Sequence, residues 1–279
     1  MNSLHDNTFM LGGDLPVHRL GFGAMRLHGR TSAERAESVR IARRAVELGV
    51  TFIDTADSYD LGGNEELLAE ALHPYPDDLV IATKAGQSRP GGDWVPLGRP
   101  EYLRQQADLS LRRLRVDRID LFQLHRVDPK VPFDEQIGAL RQLRDEGKVR
   151  HVGLSEVTVD EIERARAVVP IVSVQNRYNL SDRHSEPVLK YCEANDIAFI
   201  PWLPVAPSRD AGPVAEVARR HGVGPVRVAL AWLLGLSPVM LPIPGTSSMA
   251  HLEDNVAAAT LELSAADVAE LEGQPLTTV

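Results

Sequence analysis

The chain has 279 residues, 43% hydrophobic and 25% charged, the balance of an ordinary globular protein, and its length suits one domain over 1–279 without a second. A net charge of -9 argues against a nucleic-acid partner, although it leaves room for a local basic pocket binding a small phosphorylated ligand. One cysteine, Cys192, precludes an internal disulfide; with no signal-peptide pattern over 1–6 and no apolar run long enough to span a bilayer, a cytoplasmic protein without a membrane partner is expected.

The first stretch, 8–17, places Gly12-Gly13-Asp14 between apolar residues and predicts a short hairpin closing the bottom of the fold. Eight short apolar runs follow, at 20–24, 51–54, 79–83, 119–124, 151–154, 171–175, 198–202 and 240–243. Their interiors are nearly all apolar, as in parallel strands buried on both faces. Amphipathic helical stretches lie between them at 33–48, 65–72, 101–114, 134–146, 159–168, 186–195 and 214–236, the last broken near Gly222-Val223-Gly224. Thr31 and Ser32 before the first helix, Pro100 opening the third, and Gly49 and Gly147 closing the first and fourth are the expected punctuation. A final helix is predicted at 263–271, with Ser264 as its cap. Strict β-then-α alternation predicts an α/β fold, a (β/α)8 TIM barrel with an N-terminal hairpin and a C-terminal helix. The longest irregular segment, 85–99, is rich in Gly and Pro and follows the third strand, where barrel enzymes place recognition.

In such a barrel, polar residues at the carboxyl ends of the strands face one another across the mouth. Strand two ends in Asp54, with Tyr59 shortly after it; strand three ends in Lys84 and strand four in His125. Strand five ends in Ser155, strand six in Gln175 and Asn176, strand seven in Trp202. Reducing a carbonyl needs a hydride on carbon and a proton on oxygen. A phenol is a poor acid at neutral pH, and the Lys84 ammonium is expected to lower the value for Tyr59 while Asp54 keeps Lys84 charged. His125 would orient the carbonyl or help pass the proton. Each residue alone reads as a structural ion pair or a surface aromatic; the set in register with strand ends is hard to attribute to coincidence.

The segment Phe52-Ile53-Asp54-Thr55-Ala56-Asp57-Ser58-Tyr59, followed by Asn64-Glu65, resembles the Asp–Thr–Ala–x–x–Tyr motif of the aldo-keto reductase superfamily. Ile81-Ala82-Thr83-Lys84 resembles its lysine strand and Leu121-Phe122-Gln123-Leu124-His125-Arg126 its histidine strand, and the likeness covers nearly the whole chain. The resemblance implies a tetrad of Asp54, Tyr59, Lys84 and His125 with Tyr59 as general acid, and NADP(H) as cofactor. It assigns Ser155 and Gln175 to the nicotinamide amide, and Trp202 to the place where the family often stacks a Tyr on the ring. Gly23 joins the cofactor contacts, as do Gly245, Thr246, Ser247, His251 and Asn255 after strand eight. Glu156 stands where many members have Asn. Gly245 and His251 replace the usual cations for the 2′-phosphate, which leaves room for NAD(H). Met25, Trp94, Arg126 and the 85–99 loop are the expected contacts of a small-molecule carbonyl substrate.

The segment Tyr75-Pro76-Asp77-Asp78-Leu79 and the run 229–255 resemble a bacterial pyridoxal-reductase-like branch, which implies pyridoxal as substrate. Two other readings share the barrel: a non-catalytic nicotinamide-binding regulatory subunit, and a ketoreductase of sugar or antibiotic pathways. Gly21-Phe22-Gly23-Ala24-Met25-Arg26 begins like a dinucleotide fingerprint but has Arg26 where the third glycine belongs. No histidine spacing suits zinc, so no metal is expected. A monomer is the favoured state, although no sequence feature fixes it.

Overall fold

A computed structural model describes residues 7–205 and 212–273; the 1–6 stretch read for a leader lies outside them. At the start, β1 (Thr8–Leu11) and β2 (Leu15–His18) pair antiparallel with Leu11 opposite Leu15. The turn between them needs positive φ at two successive positions, 64° at Gly12 and 84° at Gly13, which glycine adopts freely. Leu11, Leu15 and Val17 turn inward and pack with Phe52, Val80, Leu121 and Leu241, so the predicted hairpin caps the barrel interior.

The barrel begins with β3 (Phe22–Gly23), α1 (Ser32–Glu47), β4 (Phe52–Asp54), α2 (Gly63–Leu72) and β5 (Val80–Ala85). Two short strands, β6 (Gln87–Ser88) and β7 (Val95–Pro96), pair antiparallel before α3 (Pro100–Leu114). The segment expected to be wholly irregular therefore carries a small ribbon. Then come β8 (Ile119–Leu124), α4 (Phe133–Asp145), β9 (Val149–Ser155), α5 (Val159–Arg166), β10 (Ile171–Gln175), α6 (Glu186–Ala194) and β11 (Ala198–Phe199). Helices α7 (Pro213–His221), α8 (Pro225–Leu236), α9 (Met249–Val256) and α10 (Ala265–Glu272) complete the chain.

Seven strands form one parallel sheet in the order β11-β10-β9-β8-β5-β4-β3. Its two edges are joined by the eighth predicted run. On one side Phe199 N donates to Val239 O at 2.9 Å and Leu241 N to Phe199 O at 2.8 Å; on the other Gly21 N donates to Pro242 O at 3.0 Å. Pro242 and Pro244 have no N–H to give, so this segment closes the barrel through too sparse a ladder to form a regular strand. Pro201 likewise ends β11 earlier than the predicted 198–202. Helix ends follow the signals: Thr31 accepts from Glu34 N, Ser264 and Asp267 form a capping box, and Gly222 at φ 64° separates α7 from α8. The outer layer buries Leu103, Ile137, Leu140, Ile162 and Leu189 against the sheet, each contributing about 1.5–3 kcal/mol.

Candidate active site

The carboxyl ends of the strands open onto a cavity of about 1010 Å³, reaching from Tyr59, His125 and Trp94 to Gly245 and Asn255. β4 and β5 pair with Asp54 opposite Ala82, which sets Asp54 and Lys84 side by side. Lys84 Nζ donates to Asp54 Oδ1 at 2.5 Å and to the Thr55 carbonyl at 2.8 Å. Both side chains are out of solvent, 0% and 2% exposed. Burying the two charges costs several kcal/mol, offset by their pairing and by further hydrogen bonds. Those come from Gln123 Nε2 and Gln175 Nε2, which donate to Asp54 Oδ2 at 3.2 and 2.9 Å. The third contact of Lys84 Nζ is Tyr59 Oη at 3.4 Å.

Tyr59 opens a tight turn in which Asp60 and Leu61 have φ of 51° and 52°, so the backbone spends strain to aim the phenol. The Tyr59 and His125 rings meet edge to face at 5.8 Å, and Trp94 lies edge-on to both at 6.3 and 5.9 Å. Burial pushes the Tyr59 phenol above its ordinary value, and the Lys84 cation pulls the other way without prevailing. The expectation that Lys84 lowers Tyr59 is thus right for the ion's own effect and wrong for the net: desolvation outweighs it. Burial also works against the Lys84 ammonium, but Asp54 and Tyr59 beside it raise its net value. His125 is driven well below the usual imidazole value by burial and by the Lys84 and Arg126 cations, so it is neutral at neutral pH. The Ser58 hydroxyl lies 3.3 Å from its Nδ1 and can donate there, leaving the proton on Nε2. A neutral imidazole with its proton on Nε2 can donate a hydrogen bond to a carbonyl oxygen and can also pass a proton, so both roles expected for His125 stand.

Of the other predicted contacts, Gly23, Met25, Trp94, Arg126, Gln175, Trp202, Gly245, Thr246, Ser247, His251 and Asn255 all line the cavity. Lys84 and Ser155 are not on its wall. Ser155 Oγ donates to Gln175 O at 2.8 Å and accepts from Arg126 Nη1 at 3.0 Å. Glu156, which departs from the family's Asn, has a definite partner: its Oε1 accepts from Trp202 Nε1 at 2.6 Å and from Arg177 N at 2.7 Å. Gly23 and Gly245 each lie too close to neighbouring backbone to carry a side chain. A Cβ on either would come within 2.7 Å of a backbone oxygen, Ile243 O for the first and Gly23 O for the second.

At the far end Ser248 caps α9, accepting from His251 N, and Thr246 Oγ accepts from Ser248 N at 3.1 Å. Hydroxyls beside a helix N-terminus suit a phosphate. Gln87 on the cavity wall lies in the 85–99 loop expected to contact substrate, whereas sequence reasoning missed Arg26, Val226, Ser248 and Asp254 there. Ser248 could have been found as the cap of an amphipathic run; Val226 reaches the site only through the packing of α8, which leaves no local signal.

Fold and site together define a barrel with a buried ion pair, a phenol and an imidazole gathered at one end of a long cleft. The Aldo/keto reductase family model matches residues 19–274, and the chain belongs to that family and is an oxidoreductase. It is 48% identical to an uncharacterized oxidoreductase of Schizosaccharomyces pombe, over 93% of this chain and 87% of that one. It is 38% identical to the pyridoxine 4-dehydrogenase of Escherichia coli, over 97% and 99% respectively. Among solved structures, an aldo-keto reductase from Klebsiella pneumoniae in complex with NADPH superposes with a TM-score of 0.84 at 25% identity, covering 98% of this chain and 99% of that one.

Proposed function

We propose that the protein reduces an aldehyde or ketone with NADPH, with Tyr59 donating the proton to the carbonyl oxygen. The observation that carries this reading is the buried Asp54–Lys84 pair holding Tyr59 beside neutral His125 on a cleft long enough for a dinucleotide and a substrate. The nicotinamide, when bound, supplies the hydride. His125 holds the carbonyl oxygen, and Tyr59 Oη gives up its proton as charge develops there. Lys84, kept charged by Asp54, stabilises the phenolate that results. Gln175 and Trp202 place the nicotinamide, and Thr246, Ser247, Ser248 and His251 bind the 2′-phosphate. With no permanent cation at Gly245 or His251, selectivity over NADH is modest. The identity to the Escherichia coli pyridoxine 4-dehydrogenase makes the pyridoxal–pyridoxine pair the substrate of choice.

The test is NADPH consumption with pyridoxal and simple aldehydes. Tyr59→Phe lowers kcat by about 10²–10⁴-fold and still binds NADPH. Because the donor must be protonated and its value is raised, kcat stays flat through neutral pH and falls only in strongly alkaline solution. Equal, near-zero rates for both proteins would instead describe a regulatory nicotinamide-binding subunit. A preference for another aldehyde over pyridoxal would leave the reductase and discard the substrate.

A further inference from the structure

We infer that a second cavity beside Tyr59 is a substrate subsite for an anionic end group, a carboxylate or a phosphate monoester. This cavity has a volume of about 340 Å³. It shares Met25, Tyr59 and Trp94 with the larger cleft, so the two spaces flank the same three residues. A molecule whose carbonyl lies at Tyr59 Oη can therefore extend past Trp94 into it. The inference rests on Tyr59 being the reducing end of the site, and it widens the substrate class beyond pyridoxal, which has no carboxylate or phosphate to place in the second cavity.

The charge of the second cavity points to the class of ligand. Arg30 and Arg89 line it with His28, against the single carboxylate of Asp60. The chain as a whole is acidic, 39 Asp and Glu against 30 Lys and Arg, so a cationic cavity runs against the average surface. Many arginines here are engaged in ion pairs, such as Arg35 with Glu70, Arg113 with Glu65 and Arg220 with Asp267. Among the described residues, neither Arg30 nor Arg89 has a carboxylate partner.

Arg89 is also held in place. Its guanidinium lies over the Trp94 ring, 3.8 Å from the centroid, and its Nε and Nη2 donate to Gly92 O at 3.0 and 2.6 Å. Nη1 is left with no acceptor among the described residues. A planar cation fixed by stacking loses little freedom on taking up a carboxylate or phosphate oxygen. Trp94, 40% exposed, would be the partition along which the substrate's body lies. The anion must then be separated from the carbonyl by a spacer, since Arg126 lines the larger cleft with Tyr59 and His125 while Arg30 and Arg89 line only the second cavity.

Three aldehydes test this: 4-carboxybenzaldehyde, its methyl ester, and glyoxylate, whose carboxylate has no spacer. With NADPH the acid is expected to have a KM about tenfold below that of its ester, the effect of one charge-assisted contact. The acid-to-ester ratio should fall toward one in the Arg30→Gln, Arg89→Gln double variant and shrink as salt is raised. Binding of 4-(hydroxymethyl)benzoate to the NADPH-loaded enzyme, read against its methyl ester, should follow the same order without turnover. Equal KM for acid and ester, or a preference that survives the double variant, overturns the subsite. So does a preference for glyoxylate that Arg126→Gln abolishes. Failure to reduce any aldehyde would remove the reductase reading, while the binding comparison would still decide the subsite.

Discussion

At one end of the cleft, Asp54 and Lys84 are locked together with almost no exposure, and every polar neighbour of Asp54 is a buried amide or ammonium. At the other, from Gly245 to Asn255, the wall is made of backbone, hydroxyls and the start of α9. Asp254 on that wall pairs with Arg227 behind it, and both are partly exposed. Moving a proton requires charges fixed before the substrate arrives, because reorganising them during the reaction would add to the barrier. Holding a phosphate in water requires only donors in the right place. The catalytic end should therefore respond to substitution in stability and activity together, and the far end mainly in cofactor affinity.

The strongest way to break this contrast is Lys84→Met. It leaves the Asp54 carboxylate buried without its cation, which costs about 3–5 kcal/mol. Turnover should be lost along with stability, measured by denaturant unfolding and NADPH consumption. The double variant with Asp54→Asn should recover much of the stability and none of the activity. A Lys84→Met protein as stable as the parent would mean that the buried pair is not the frame of the site.

The same contrast governs how much of the molecule is legible in its sequence. The strands that carry Asp54, Lys84 and His125 are short apolar runs ending in a polar residue, a pattern written locally in the chain. The direction of the Tyr59 shift is not legible there, because desolvation depends on how Trp94 and His125 close around the ring. The β6–β7 ribbon is not legible either: two-residue strands have no period to detect. The barrel's closure at 240–243 is visible as an apolar run, but its prolines hide how few bonds make the seam. The pairing of Glu156 with Trp202 joins the segments that follow β9 and β11, and one sequence cannot reveal such a pair.

That pairing gives a sharper test of intermediate size. Glu156 has a φ of 56°, a conformation that Asn tolerates better than Glu. Glu156→Asn should therefore relieve backbone strain and raise the melting temperature slightly. It should also weaken NADPH binding, because the shorter side chain no longer reaches Trp202 Nε1 and the indole loses its anchor. Opposite signs in thermal unfolding and cofactor titration are the expected outcome. Weakening of both would make Glu156 a structural residue whose carboxylate matters chiefly through Arg177 N.

The smallest effect belongs to the far end. Ser248→Ala removes the cap of α9 and should cost about 0.5–2 kcal/mol of stability. The loss falls where the 2′-phosphate would bind, so the KM for NADPH should rise while kcat at saturating cofactor holds. The KM for NADH, which has no phosphate to place there, should move less. Steady-state kinetics with both cofactors measures this directly. If NADH suffers as much as NADPH, Ser248 acts by holding α9 in position and the phosphate is bound by other groups on that wall, among them the exposed Arg26, whose stem lies beside Gly245.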